Sequence, residues 1–323
     1  MRPPDHWHLR RSRRSIPWWP FAFAAVLFLT VLVFALHSAG GGTKHTSVSR
    51  GPSAPVCGAG SECVSPSASA IAGLGFPPPK LTAKSAAVLE VSCSALIYGQ
   101  NAHERLPPAS ITKIATALVA IEHIDLDEVV DVRVNSALLV ASTDSTVMGL
   151  EPGQRMSIRD LLYGMLLPSG NDAAIAIAQA VGGSETNFVD MMNARVAELG
   201  LGNTHFSNPH GLDEPGLYTT AFDMALLGRA ALATPTLAAI VRTRSYQPAW
   251  DGPEVSNGDQ LLDLYPDAIG IKTGYTEQAG QTIVAAAERN GRRLIVTLLG
   301  SSDRYADAIA LFEWAFANTP PQC

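Results

Sequence analysis

Residues 268–299 read AIGIKTGYTEQAGQTIVAAAERNGRRLIVTLL, and this stretch decides the fold. Ala268–Lys272, Gln281–Ala287 and Arg292–Leu299 are apolar runs of strand length. Asn290-Gly291 separates the last two. Both residues tolerate positive φ, which a tight hairpin turn requires, so these runs read as antiparallel neighbours. Asp303–Phe316 follows as an amphipathic helix.

Toward the N-terminus the pattern changes period. Ser157–Leu167, Asp172–Val181, Glu185–Leu199 and Thr220–Leu232 read as helices joined by Gly, Asn and Pro breaks. Ile111, Ile114, Ala115, Leu118 and Val119 also have helical spacing, and Ser110 stands where their N-cap belongs. Earlier still, Ala86–Val91 and Ala95–Tyr98 flank Ser92-Cys93-Ser94 as a second hairpin. Strands at both ends with helices between them predict one α/β (α+β) domain. Its antiparallel sheet joins the first strands to the last.

The 323 residues carry a formal net charge of −6, with 47% hydrophobic and 16% charged residues. That is enough apolar material for a core, which excludes wholesale disorder. The acidic balance argues against nucleic acid as a partner. Residues 1–79 hold seven of the 23 basic residues but only two of the 29 acidic ones, so the head is basic and the body acidic. Ser15–Leu36 has no charged residue and is long enough to span a bilayer core of about 30 Å. Trp18 and Trp19 open it, after Arg10, Arg11, Arg13 and Arg14. By the positive-inside rule the rest of the chain is exported. The expected organisation is a basic cytoplasmic head (1–14), a transmembrane helix (15–37), a Gly/Ser/Pro-rich linker (38–79) and a catalytic domain (80–323). The expected location is the cell membrane, with the catalytic domain outside. A cleaved export segment is the alternative, and the length of the apolar run favours an anchor. Cys57 and Cys63 lie in the linker, where export would permit a disulfide, while Cys93 and Cys323 are too isolated to assign. No His/Cys cluster has metal-ligand spacing, so neither metal nor cofactor is expected.

Three short motifs carry candidate chemistry. In Ser110-Ile111-Thr112-Lys113 a hydroxyl and an amine lie one helical turn apart. A serine needs a base to become a nucleophile, and a lysine serves once burial lowers its pKa. Lys272-Thr273-Gly274 ends an apolar strand with a cation, a hydroxyl and bare backbone, which suits an extended ligand bearing a carboxylate. Ser169-Gly170-Asn171 lies between two helices and alone reads as a capping turn.

Taken in order, Ser-x-x-Lys, Ser-x-Asn and Lys-Thr-Gly resemble the motif set of penicillin-binding proteins and β-lactamases. The flanking stretches Pro107–Ser110, Leu167–Asp172, Asn208–Leu212 and Gly270–Thr276 resemble one branch, the low-molecular-mass D-alanyl-D-alanine carboxypeptidases, which are serine peptidases. The resemblance covers roughly residues 80–318. It implies a β-lactamase/transpeptidase-like fold, with a five-stranded antiparallel sheet flanked by helices. It implies a penicillin-sensitive enzyme that removes the terminal D-alanine from peptidoglycan stem pentapeptides, with β-lactams as covalent inhibitors. Ser110 would be the nucleophile, Lys113 its base and Ser169 part of the proton network. Asn171, Lys272, Thr273, Gly274 and Tyr275 would hold substrate, and the backbone N–H groups of Ser110 and Tyr275 would form the oxyanion hole. Arg304, ten residues before Trp314, would engage the substrate's terminal carboxylate. His205 and His210 read as structural. The middle motif departs from the β-lactamase pattern in lacking Asp, and Leu217 stands where relatives often have a polar residue. A serine β-lactamase, a transpeptidase or endopeptidase, and a non-catalytic penicillin sensor are the rival readings.

Overall fold

The computed structural model describes residues 76–143, 145–249 and 252–323. The charge-free segment, Cys57, Cys63 and nearly all of the linker lie outside the described residues.

Nine strands and nine α-helices alternate along the described chain. The first hairpin is β1 (Ser85–Glu90) and β2 (Leu96–Gln100). A 3-10 turn at Ala109–Thr112 leads into α1 (Lys113–His123). Then come β3 (Val129–Asp131), α2 (Ser136–Ser142), β4 (Arg155–Ser157), α3 (Ile158–Leu166), α4 (Asn171–Gly182) and α5 (Glu185–Glu198). After α6 (Ala221–Ala233) and α7 (Pro235–Arg242) come β5 (Ser245–Tyr246), β6 (Val255–Ser256) and α8 (Leu261–Leu264). The chain ends with β7 (Ala268–Thr276), β8 (Gly280–Arg289), β9 (Arg292–Ser301) and α9 (Arg304–Asn318).

The main sheet has five strands in the order β2-β1-β9-β8-β7, all pairs antiparallel. The first strand therefore lies beside the last, as the pattern of end strands requires. Asn290 (φ 51°) and Gly291 (φ 79°) form the two-residue turn between β8 and β9, closed by the Arg289–Arg292 pair.

Alternation along each strand divides the core in two. Ala87 and Leu89 of β1, Val284 and Ala286 of β8, and Ile295 and Leu299 of β9 face the helical lobe. There they join Ile114, Leu118, Leu161, Ile177 and Leu227. Ala86 and Val88, Ile283 and Ala285, and Leu294, Val296 and Leu298 face the other way, onto Leu311, Phe312 and Trp314 of α9. A sheet buried on both faces explains why β8 and β9 read as nearly unbroken apolar runs. Truncating a fully buried side chain such as Phe312 costs about 3–5 kcal/mol.

Helix starts follow side-chain caps. Ser157, Ser184, Thr220 and Asp303 accept from the backbone N–H three residues on, opening α3, α5, α6 and α9. Ser110 does not, contrary to the sequence reading. The chain turns helical one turn early, through the 3-10 segment, and the Ser110 hydroxyl is engaged by Lys113 instead. The helices α2 and α7 and the two small hairpins β3–β4 and β5–β6 were not legible, being too short for a periodic pattern.

Among the described residues no single helix is long and apolar enough to cross a membrane, and one bent pair, α6 with α7, passes by composition. That pair contributes Met224, Leu227, Leu237 and Ile240 to the core, which accounts for its apolarity.

Cys93, in the β1–β2 turn, is disulfide-bonded to Cys323, a pairing that sequence reading left unassigned across 230 residues. The tail leading to it is also held by Arg292, which donates to Thr319 O at 2.6 Å while ion-paired to buried Glu90. Closing so long a loop restricts the unfolded chain. Cys93→Ser should lower stability by about 2–4 kcal/mol, measured by denaturant unfolding. Reduction of the wild-type protein should reproduce that loss.

Candidate active site

The site begins with a strained turn. Ala109 has φ 53°, a left-handed conformation rare for a side chain with a Cβ. Strain of this kind persists only when the surroundings fix it. Two glycines do so. A Cβ on Gly211 would come within 2.0 Å of Ala109 O, and one on Gly274 within 2.7 Å of Ser110 N. Thr282 Oγ1 on β8 also donates to Pro108 O at 2.9 Å. The Pro108–Ser110 backbone is thus clamped between the sheet and the Asn208–Gly211 turn. Asn208 Oδ1 shapes that turn by accepting from Gly211 N at 2.6 Å.

One turn on, Lys113 is fully buried. Its Nζ lies 2.9 Å from Ser110 Oγ, 2.7 Å from Asn171 Oδ1 and 2.8 Å from His210 O. Two of these partners are carbonyl oxygens and can only accept. The third is a hydroxyl that can also donate. A neutral amine has two N–H bonds and one lone pair, so this set matches a deprotonated Lys113 receiving the Ser110 proton. Electrostatics favour the same state. Burial lowers the Lys113 pKa well below its usual value and the nearby Lys272 charge lowers it further, against a smaller opposing pull from Asp172.

Asn171 opens α4, and its Nδ2 donates to Ser145 Oγ at 2.9 Å. Asp172, next in sequence and fully buried, accepts from the N–H groups of Met148, Gly149 and Leu150 and from Ser136 Oγ. These bonds hold residues 145–150 against the start of α4. Ser169 has φ 71° and lines the cleft, without a side-chain hydrogen bond to Lys113 or Ser110 among the described residues.

The opposite wall is β7, an edge strand of the sheet. Lys272 is buried and donates to Thr273 O at 3.0 Å. Its pKa is lowered to about 8 by burial, with Asp259 opposing and Arg304 adding to the shift. Arg304, first residue of α9, donates through Nη1 to Gly274 O at 2.5 Å and Thr282 O at 3.1 Å. Its Nε is buried without a hydrogen-bond partner among the described residues. A cleft of about 260 Å³ lies between the walls, lined by Ser110, Ser145, Thr146 and Ser169 on one side and Thr273, Gly274, Tyr275 and Arg304 on the other.

The structure therefore gathers Ser110, Lys113 and Asn171 into one hydrogen-bonded cluster, and Ser169, Thr273, Gly274, Tyr275 and Arg304 around the same cleft. Lys272 joins them through its charge. His205 and His210 stay outside the cleft lining. Burial lowers the His210 ring to about 3, and its Nδ1 accepts from Leu212 N at 3.2 Å. Leu217 is buried in the helical core. Ser145, Thr146, Asp172, Asp259 and the His210 carbonyl were missed as site elements. A backbone carbonyl has no residue signature, and the only hint was the Asn-Pro-x-Gly turn that presents it.

A serine whose hydroxyl rests on a buried amine, beside a cationic strand edge on this three-layer scaffold, marks a serine hydrolase of transpeptidase-like α+β fold. Residues 74–303 match the family model described as D-alanyl-D-alanine carboxypeptidase. The chain belongs to that family. It is 36% identical over 247 residues to a D-alanyl-D-alanine carboxypeptidase of Bacillus subtilis, covering 73% of this chain and 62% of that one. It is 38% identical over 243 residues to one from Mycobacterium tuberculosis, covering 72% and 82%. Among solved structures, a Mycobacterium tuberculosis D-alanyl-D-alanine carboxypeptidase superposes with a TM-score of 0.71 at 36% identity, over 76% of this chain and 95% of that chain. A Streptomyces DD-transpeptidase superposes with a TM-score of 0.71 at 30% identity, over 75% and 100%.

Gly274 is where the two walls meet most tightly. Gly274→Ala should displace the Ser110 backbone and slow acylation of Ser110 by about 10²-fold, the scale of a small misplacement at a reacting group. The rate of labelling by a fluorescent penicillin measures this, alongside an unfolding curve to check the fold.

Proposed function

We propose that this protein is a serine-type D-alanyl-D-alanine carboxypeptidase acting on peptidoglycan stem pentapeptides. The observation that carries the reading is the set of partners around the Lys113 amine, two carbonyl oxygens that accept and the Ser110 hydroxyl that can donate. Ser110 Oγ attacks the carbonyl carbon between the last two D-alanines while Lys113 takes its proton. Charge that develops on the carbonyl oxygen is met by the N–H groups of Ser110 and Tyr275, which act only as the tetrahedral state forms. Collapse breaks the C–N bond. The leaving amine receives a proton from Lys113 by way of Ser169, and D-alanine departs. Water then attacks the ester, returning Ser110 and the shortened peptide.

Substrate lies extended along the edge of β7, whose Thr273 and Gly274 offer a hydroxyl and open backbone. Lys272 and Arg304 supply positive charge for the terminal carboxylate, and a guanidinium can bind it through two parallel bonds. β-Lactams present the same acyl and carboxylate groups and acylate Ser110. An acyl-enzyme can also pass to an amine, and the similarity to a DD-transpeptidase supports that as a second outcome of the same intermediate.

The wild-type protein should release D-alanine from a pentapeptide ending in D-Ala-D-Ala, and Ser110→Ala should release none. Lys113→Arg keeps a cation but cannot lose its proton, so turnover should fall by about 10³-fold or more. Turnover of the Arg variant near wild type would exclude Lys113 as the base. Activity should rise with pH as Lys113 loses its proton, at a pH well below the usual lysine range.

The catalytic unit acts outside the cytoplasmic membrane, tethered by the charge-free segment 15–36 through the linker that follows. The full chain should sediment with membranes and resist alkaline carbonate. A chain beginning at residue 76 should remain in the supernatant.

A further inference from the structure

The short helix α2 is tied at both ends to consecutive residues of the site. At its start, Ser136 Oγ donates to Asp172 Oδ2 at 2.6 Å. At its end stands the C-cap residue Thr143, whose Oγ1 lies 2.7 Å from Ser145 Oγ. Ser145 Oγ in turn lies 2.9 Å from Asn171 Nδ2. The first tie holds the helix against α4. The second has a direction, and that direction reaches Lys113.

Each hydroxyl has one proton to give. Thr143 Oγ1 lies 2.7 Å from Leu139 O, a carbonyl oxygen that can only accept. The Thr143 proton is therefore committed to Leu139, and toward Ser145 the Thr143 oxygen accepts. Ser145 must then donate to Thr143, which leaves Ser145 Oγ an acceptor toward Asn171. Only the amide nitrogen of Asn171 can donate to it. Nδ2 thus faces Ser145, and Oδ1 is turned to Lys113 Nζ, 2.7 Å away. An asparagine amide is nearly symmetric in shape, so its hydrogen-bond partners decide which way round it sits. The reverse orientation would be harmful. With Nδ2 toward Lys113, the amide would donate to the lone pair of the neutral amine, the one that the Ser110 hydroxyl needs from 2.9 Å away. Resting on the carboxypeptidase reading above, we infer that Thr143 is a positioning residue: through Ser145 it fixes the Asn171 amide with its carbonyl toward Lys113 and so keeps the base open to Ser110. Thr143 is exposed and is not among the described residues that line the cleft, so it acts through Ser145 rather than by touching substrate.

The test uses the full chain and two readouts, the rate of Ser110 acylation by a fluorescent penicillin and D-alanine release from a D-Ala-D-Ala peptide. Thr143→Val keeps a branched side chain without the hydroxyl. It frees the Ser145 proton to turn toward Asn171 Oδ1, which permits the reversed amide. Acylation should fall about 3–10-fold, the scale of one ordinary hydrogen bond. Thr143→Ser returns the hydroxyl and should restore the wild-type rate. In a Ser145→Ala background, where the relay is already broken, Thr143→Val should have no further effect. Acylation of Thr143→Val at the wild-type rate would overturn the inference. So would a Thr143→Ser variant as slow as Thr143→Val, or an equal loss with and without Ser145, the mark of a merely structural role. A wild-type protein that is acylated but releases no D-alanine would instead overturn the carboxypeptidase reading. The acylation ratios would then decide the role of Thr143 by themselves.

Discussion

A lysine amine buried out of reach of water is the constraint around which this molecule is arranged. An isolated ammonium in that place would be unfavourable, and burial draws the Lys113 pKa well below the usual lysine range. In its neutral form the amine has two hydrogen atoms to place and one lone pair to offer. Asn171 Oδ1 and His210 O take the hydrogens. Ser110 is left facing the lone pair. On the proposed reading, hydrogen-bond satisfaction of the neutral amine and acceptance of the Ser110 proton are one requirement.

Much of the surrounding structure keeps that arrangement from relaxing. Thr116 Oγ1 donates to Pro209 O at 2.6 Å, fixing the turn that presents the His210 carbonyl to α1. Asp172 gathers a row of backbone N–H groups and holds the Ser145 loop, so that Asn171 is engaged on both ends of its amide. From the sheet, Gly274 and Thr282 press on the turn that carries Ser110. The nucleophile is thus held by both lobes, and the cleft is the seam between them. The two cores on opposite faces of the sheet give β7 and β8 the rigidity that this contact demands.

How much of this could be read from sequence follows from the range of the forces involved. Long β8 and β9, the Asn290-Gly291 turn and the capped helices are local, and each was legible from a few neighbouring residues. The pairing of β1 with β9 followed from layer packing rather than from any local pattern. Ser110, Lys113, Asn171 and Lys272 were legible because their chemistry needs particular side chains at fixed spacing. What escaped was tertiary. The Cys93–Cys323 link, the His210 carbonyl and the Ser145 loop depend on partners far along the chain. Ser110 was misread as a cap for a related reason: its hydroxyl had a stronger claim from Lys113 than from the helix backbone.

The spacing of charge across the cleft carries a further consequence. Lys113, Lys272 and Arg304 all lose hydration, and all three are shifted toward neutrality by burial. An anionic substrate reverses part of that shift, because a carboxylate raises the proton affinity of every nearby base. Were the carboxylate to bind beside Lys113, it would protonate the base that the reaction needs neutral. On the proposed reading the guanidinium of Arg304, which lines the same cleft as Ser110, and the second lysine take up the negative charge instead. Arg304 suits that task because a guanidinium keeps its proton across the working pH range. Lys272 is the group that feels both sides. Its charge depresses the Lys113 pKa, while the Arg304 charge lowers its own, so a carboxylate bound beside Arg304 and Lys272 would act first on the cations that the proposed reaction does not need neutral.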